Sequence, residues 1–218
     1  MNTPHPNAEG RITVLYTAHE RFWHWAQAAL IFGLLLTGAA LRYPSTFGVE
    51  AALPTAVLVH NVLAGLLLVH AALGLFYFVT TGNIRHYVLH RKGLREGLVK
   101  QVVYYGYGIF RGCVHPFTPT RRARLNLLQR LSYLALLNVL LPAQIITGLL
   151  IYFASDVPEI VAALGGLPVL MPLHAVVAWS LLAFVVMHVY LTTTGHTPTE
   201  HLRTIITGEA HGAEEEAP

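Results

Sequence analysis

Four apolar runs of about twenty residues or more set the terms on which this chain can fold: residues 22–41, 56–79, 127–153 and 170–192. A helix needs about 20 predominantly apolar residues to cross the hydrocarbon layer, and within that layer every backbone polar group must be satisfied inside its own segment. Each run is therefore expected to be a membrane-spanning helix. Composition agrees, since only 11% of the 218 residues are charged, 54% are hydrophobic and the mean hydropathy is +0.52, outside the range of an ordinary soluble domain. The expected fold is all-α: a single integral membrane domain over residues 1–218, built as a four-helix bundle.

Orientation follows from the positive charge. Residues 81–130 hold ten of the 14 Lys and Arg, from Arg85 to Arg130, whereas the other two connections hold only Arg42 against Glu50, Asp156 and Glu159. By the positive-inside rule the basic loop 81–126 is cytoplasmic, and so are both termini of this multi-pass chain. The sequence pI of about 9.1 is thus a topology signal. It gives no reason to propose a nucleic-acid partner, because the basic residues flank spans and no recognition fold accompanies them. The opening MNTPHPNAEGR lacks the basic start and cleavage site of a signal peptide and is expected to be retained. The end, GEAHGAEEEAP over residues 208–218, has the composition of a solvated acidic tail. Trp23, Trp25 and Tyr190 near span ends are expected to anchor at the interface.

Cysteine chemistry is nearly absent. The single Cys113 sits in GCVHPF, so there is no internal disulfide, no CxxCH for covalent haem and no cysteine set for zinc or an iron–sulfur cluster. Histidine is different. Five of the 13 fall within the spans, His24, His60, His70, His174 and His188, with no Asp, Glu or Lys among them. A lone histidine in a span is usually a helix-to-helix hydrogen bond; five ionisable groups at membrane depth are costly and mark function.

The run LHAVVAWSLLAFVVMHVYL, residues 173–191, carries His174 and His188 fourteen residues apart. Fourteen residues of α-helix rise about 21 Å and turn four revolutions less roughly 40°, so the two imidazoles share nearly one face at two depths. One cofactor cannot use both; two stacked cofactors can. Neutral imidazole ligates haem iron, and inward histidines in a helix bundle are a common place to hold haem. Applying the same interval to the antiparallel spans one and two relates His24 to Gly38 and His60 to Gly74. His24, Gly74 and His188 then share the cytoplasmic level, while Gly38, His60 and His174 share the outer one. Each level receives two histidines and a glycine whose missing side chain lets a porphyrin approach the helix backbone. His70 lies outside this register, as a group beside the haem, a quinone-pocket residue or a replacement for His24.

These segments resemble a known family. RFWHWAQAALIFGLLLTG, VLVHNVLAG, NLLQRLSYLALLNVLLPAQIITGL and LHAVVAWSLLAFVVMHVYLTTTGHTP are similar to the successive spans of bacterial di-haem cytochrome b subunits. Those subunits anchor formate dehydrogenases, Ni,Fe-hydrogenases and thiosulfate or polysulfide reductases, and the thiosulfate-reductase type is nearest. The resemblance implies two haems b, with His24 and His188 ligating the inner iron and His60 and His174 the outer one. It also implies a quinone site, for menaquinone or ubiquinone, at Asn126 and Gln129; Asn126 is equally suited to cap a helix. Between them stand Leu127 and Leu128 where the family places a small residue.

The function expected is therefore an electron-transfer subunit of the bacterial inner membrane. It links the quinone pool to a periplasmic-side redox subunit of iron–sulfur, molybdenum or multihaem type, and itself carries no catalytic constellation beyond the quinone site. The alternative is a self-contained quinone oxidoreductase of the bacterial cytochrome b561 type, exchanging electrons with a species such as superoxide. A histidine-lined transporter for a divalent metal would need histidines at one depth with carboxylates, and fits poorly.

Overall fold

The structure, a computed structural model, describes residues 12–82, 94–108, 111–112, 127–193 and 197–211. Among them, four helices are long and apolar enough to cross a membrane: Ala18–Arg42, Glu50–Tyr77, Leu131–Tyr152 and Leu167–Thr192. The chain groups into two compact units. One comprises Phe22–Thr80 with Leu136–Tyr190; the other contains the described parts of Met1–Arg21, Thr81–Ala135 and Leu191–Pro218.

Helix α1, Ala18–Arg42, starts at a reciprocal cap. The Glu20 carboxylate accepts from the Thr17 N–H at 2.8 Å, and the Glu20 N–H donates to the Thr17 hydroxyl at 3.2 Å, so the pattern TAHE closes a capping box. A short helix α2, Pro44–Phe47, and a 3₁₀ turn at Glu50–Ala52 lead into α3, Leu53–Thr80. The left-handed backbone at Gly48, φ 65°, makes the turn after α2.

The third span is built in pieces. Helix α5, Leu127–Ala135, passes through a π-helical turn at Leu136–Leu140 into α6, Leu141–Tyr152. Pro142 supplies the reason: it has no N–H to give the carbonyl four residues back, and its ring crowds that carbonyl, so the preceding turn widens. Helix α7, Pro158–Ala163, then precedes α8, Leu167–Thr192.

In the unit holding the spans, a sparse set of small and aliphatic side chains is buried, including Ala40, Leu67, Leu141, Leu170, Val177 and Leu181. On α8, the sequence 170, 174, 177, 181, 188 follows heptad-type spacing, so the two histidines lie in the same seam as the buried leucines and valine. On α3, His60, Leu67 and Gly74 repeat at intervals of seven for the same reason. The opposite faces carry exposed apolar side chains, such as Phe32 and Phe76 at 68% and Val186 at 62%, as lipid-facing surfaces do.

The second unit contains α4, Leu94–Val103, packed near α5, and α9, Glu200–Thr207. It departs from the all-helical expectation in one place. Ile12–Val14, strand β1, pairs antiparallel with Glu209–His211, strand β2, in the register Ile12 to His211. The first residues of the acidic tail are thus drawn into a ladder. Gly208, at φ 87°, caps α9 and turns the chain, and its carbonyl accepts from the N–H groups of Leu15 and Tyr16 at 2.8 and 3.2 Å. The Arg21 guanidinium donates to the Ile206 carbonyl, a cation at the C-terminal end of a helix where it is favoured.

Candidate functional site

The site grows from the inward seams of α1, α3, α6 and α8. At one level the His24 and His188 rings face each other with centroids 6.2 Å apart and planes inclined by 49°. At the other, His60 and His174 stand 6.5 Å apart at 78°. The two histidines of α8 are separated by fourteen residues, about 21 Å along the helix. The register read from sequence therefore coincides with the pairs that the fold brings together.

Other side chains hold these rings. The Thr37 hydroxyl lies 2.8 Å from His60 Nδ1, and the Thr147 hydroxyl 2.9 Å from His174 Nδ1. Gln144 Nε2 lies 2.9 Å from His174 Nε2. A Cβ at Gly38 would sit 3.5 Å from His60 Cε1, and one at Gly148 only 3.2 Å from His174 Cε1. Phe184 lies parallel to the His188 ring, 6.1 Å away at 6°, and Trp25 meets His24 edge-on at 5.3 Å.

Gly38 thus lies against a histidine, whereas Gly74 lies against an indole. A Cβ at Gly74 would come within 2.9 Å of Trp23 Nε1, and Trp23 in turn stacks on His70 with centroids 4.0 Å apart. Trp23 packs into the slot that the bare backbone at Gly74 and the flat His70 ring offer, while Trp25 remains exposed at 43%. His70 is not paired with His188; that place belongs to His24. Asn126 lies outside the described residues, as does the side chain of Gln129. Sequence reading assigned no role to Thr37, Thr147, Gly148 or Gln144; TG dipeptides recur at 37–38, 81–82, 147–148, 194–195 and 207–208 and by themselves do not single out the two that meet histidines.

A haem fits this donor set. Two imidazole nitrogens on one iron at about 2 Å each put the ring centres roughly 6 Å apart, which is the spacing of both pairs. Among the described residues no three His, Cys, Asp or Glu side chains converge. A structural zinc needs four protein ligands, whereas a haem brings four nitrogens of its own and asks for two.

A sequence model of prokaryotic cytochrome b561 matches residues 15–208. This chain belongs to the prokaryotic cytochrome b561 family. It is also 34% identical over 200 residues to "Putative cytochrome YdhU" of Escherichia coli (strain K12), covering 91% of this chain and 75% of that one. The cytochrome is accordingly a haem b protein of electron transport. Its four membrane-spanning helices place it in the inner membrane. Among the described residues no carboxylate cluster stands beside the histidine seams, in a place where an uncompensated charge is expensive.

Proposed function

We propose that this cytochrome b561 binds two haems b and passes electrons between the quinone pool and a periplasmic-side redox subunit that it anchors. One observation carries the reading: two pairs of facing histidines at two depths, with ring centroids 6.2 and 6.5 Å apart. His24 and His188 are the ligands of the inner haem, and His60 and His174 those of the outer one. Haem b supplies one-electron iron chemistry when bound. The four histidines would hold the iron, and the aliphatic seams would keep its surroundings dry. The positive charge of residues 81–130 supports a cytoplasmic-side His24 level, with Asn126 and Gln129 there to serve menaquinone or ubiquinone.

Purification of the full chain in mild detergent, with a pyridine haemochrome assay and protein quantification, is expected to give two haems b per chain. It is also expected to bring down a subunit carrying iron–sulfur, molybdenum or multihaem centres. A haem ratio near zero sinks the reading. Two haems on a chain that purifies alone would favour the self-contained quinone oxidoreductase.

The quinone part is separately testable. Asn126→Ala and Gln129→Ala are each expected to leave the haem spectra intact while slowing haem reduction by a quinol analogue. Unchanged rates in both variants would take the quinone away from these residues.

A further inference from the structure

Two of the chain's TG dipeptides, Thr37–Gly38 and Thr147–Gly148, do the same thing on different helices. Thr37 on α1 meets His60 on α3, and Thr147 on α6 meets His174 on α8, through contacts of 2.8 and 2.9 Å to Nδ1. The glycine that follows each threonine faces the Cε1 of that same histidine, with room for a Cβ only at 3.5 and 3.2 Å. A hydroxyl on one side and a bare backbone on the other leave each ring one position.

The direction of the hydrogen bond follows from counting protons. A threonine hydroxyl has one proton and two lone pairs. That of Thr37 lies 2.8 Å from the Gly33 carbonyl and that of Thr147 lies 2.7 Å from the Ala143 carbonyl, acceptors that can only receive. Each hydroxyl gives its proton to the carbonyl one turn earlier, a habit of threonine in helices, and faces the histidine with a lone pair. The ring must then carry its proton on Nδ1, so the lone pair is on Nε2. At His174 a second contact agrees, because the Gln144 carboxamide nitrogen, a donor only, lies 2.9 Å from Nε2. At the inner level, His24 Nδ1 is buried with no hydrogen-bond partner among the described residues.

We propose that Thr37 and Thr147 are positioning residues that fix His60 and His174 as Nδ1–H tautomers, aim Nε2 at a shared iron and lower the potential of that one haem. The inference rests on the assignment of His60 and His174 as ligands. A hydrogen bond accepted from the far nitrogen makes imidazole the better electron donor and favours ferric iron; partners of this kind tune metal sites generally. Gln144 must turn its amide away from Nε2 when iron is loaded there, since one lone pair cannot serve both.

The test is a potentiometric titration of the purified, haem-loaded full chain carrying Thr37→Val, Thr147→Val or both, with haem content measured on each. Each single substitution is expected to shift the ferric-to-ferrous ratio of the same haem roughly three- to tenfold toward ferrous at a given potential, a rise of up to about 59 mV for one electron. The other haem is expected to stay in place, and Thr→Ser at either position to restore the parent potential. Where valine disturbs assembly, Thr→Ala carries the same expectation. Unmoved potentials, equal movement of both haems, or failure of serine to restore the shift would overturn the inference. Haem content of His60→Ala and His174→Ala keeps the two failures apart. If those variants retain both haems the ligand assignment is wrong; if they lose one and the threonine variants leave potentials unchanged, only the positioning role falls.

Discussion

Alanine at His188 is expected to reduce the haem content from two per chain to one. The loss is expected to be nearly complete because, in the proposed assignment, the imidazole is a direct ligand with one counterpart, His24, 6.2 Å away across the seam. Outer partners of a metal site typically contribute 10–100-fold in affinity; removing an axial ligand takes away the bond itself and opens a hole beside Phe184. His24→Ala is expected to give the same phenotype. The haem of His60 and His174 should survive, since it lies about 21 Å along α8 from the change. A pyridine haemochrome assay with a redox titration checks this: one haem remaining with a single one-electron wave is the expected result. Two intact haems would mean that these histidines do not pair on iron. His70→Ala is the control, expected to keep both haems, because its ring is stacked on Trp23 and faces no other imidazole among the described residues.

Gly74→Leu is expected to have the second-largest effect, without touching a ligand. Even the first carbon of a side chain there would lie 2.9 to 3.1 Å from three atoms of the Trp23 indole, the nearest inside the closest approach of real Cβ atoms and the others tighter than most. Any retreat of the indole would disturb its stack on His70 at 4.0 Å. Overpacking at such a point costs about 1–3 kcal/mol. The strain falls beside His24, the neighbour of Trp23 in the chain. Loss or weakening of the His24 and His188 haem is expected, with the His60 and His174 haem retained. Trp23→Ala combined with Gly74→Leu should recover part of the lost haem by returning the space. Two unperturbed haems in Gly74→Leu alone would show that this contact does not support the inner level.

The threonines and the paired histidines illustrate different kinds of legibility. Apolar length was enough to mark the spans, because lipid forces a helix to satisfy its own backbone. The interval of fourteen between His174 and His188, and between His60 and Gly74, was enough to sort residues into two depths, because helical rise and turn are constant. These are local regularities, and the chain carries them without reference to its partners. The family pattern of one histidine in each of the first two spans and two in the last supplied the pairing as an expectation.

What the tertiary structure alone decided are the contacts between residues far apart in sequence. Thr37 reaches His60 and Thr147 reaches His174 across helix pairs, a meeting that depends on how the helices are rotated against one another. Trp23 occupies the slot that Gly74 leaves, 51 residues away in sequence. Ile12–Val14 and Glu209–His211 form a ladder between opposite ends of the chain, where neither segment is long or apolar enough to announce a strand. A helix specifies its own pitch and therefore which residues share its face. The neighbour that face meets is fixed only when several helices pack together, because side-chain contacts depend on the shapes of both partners.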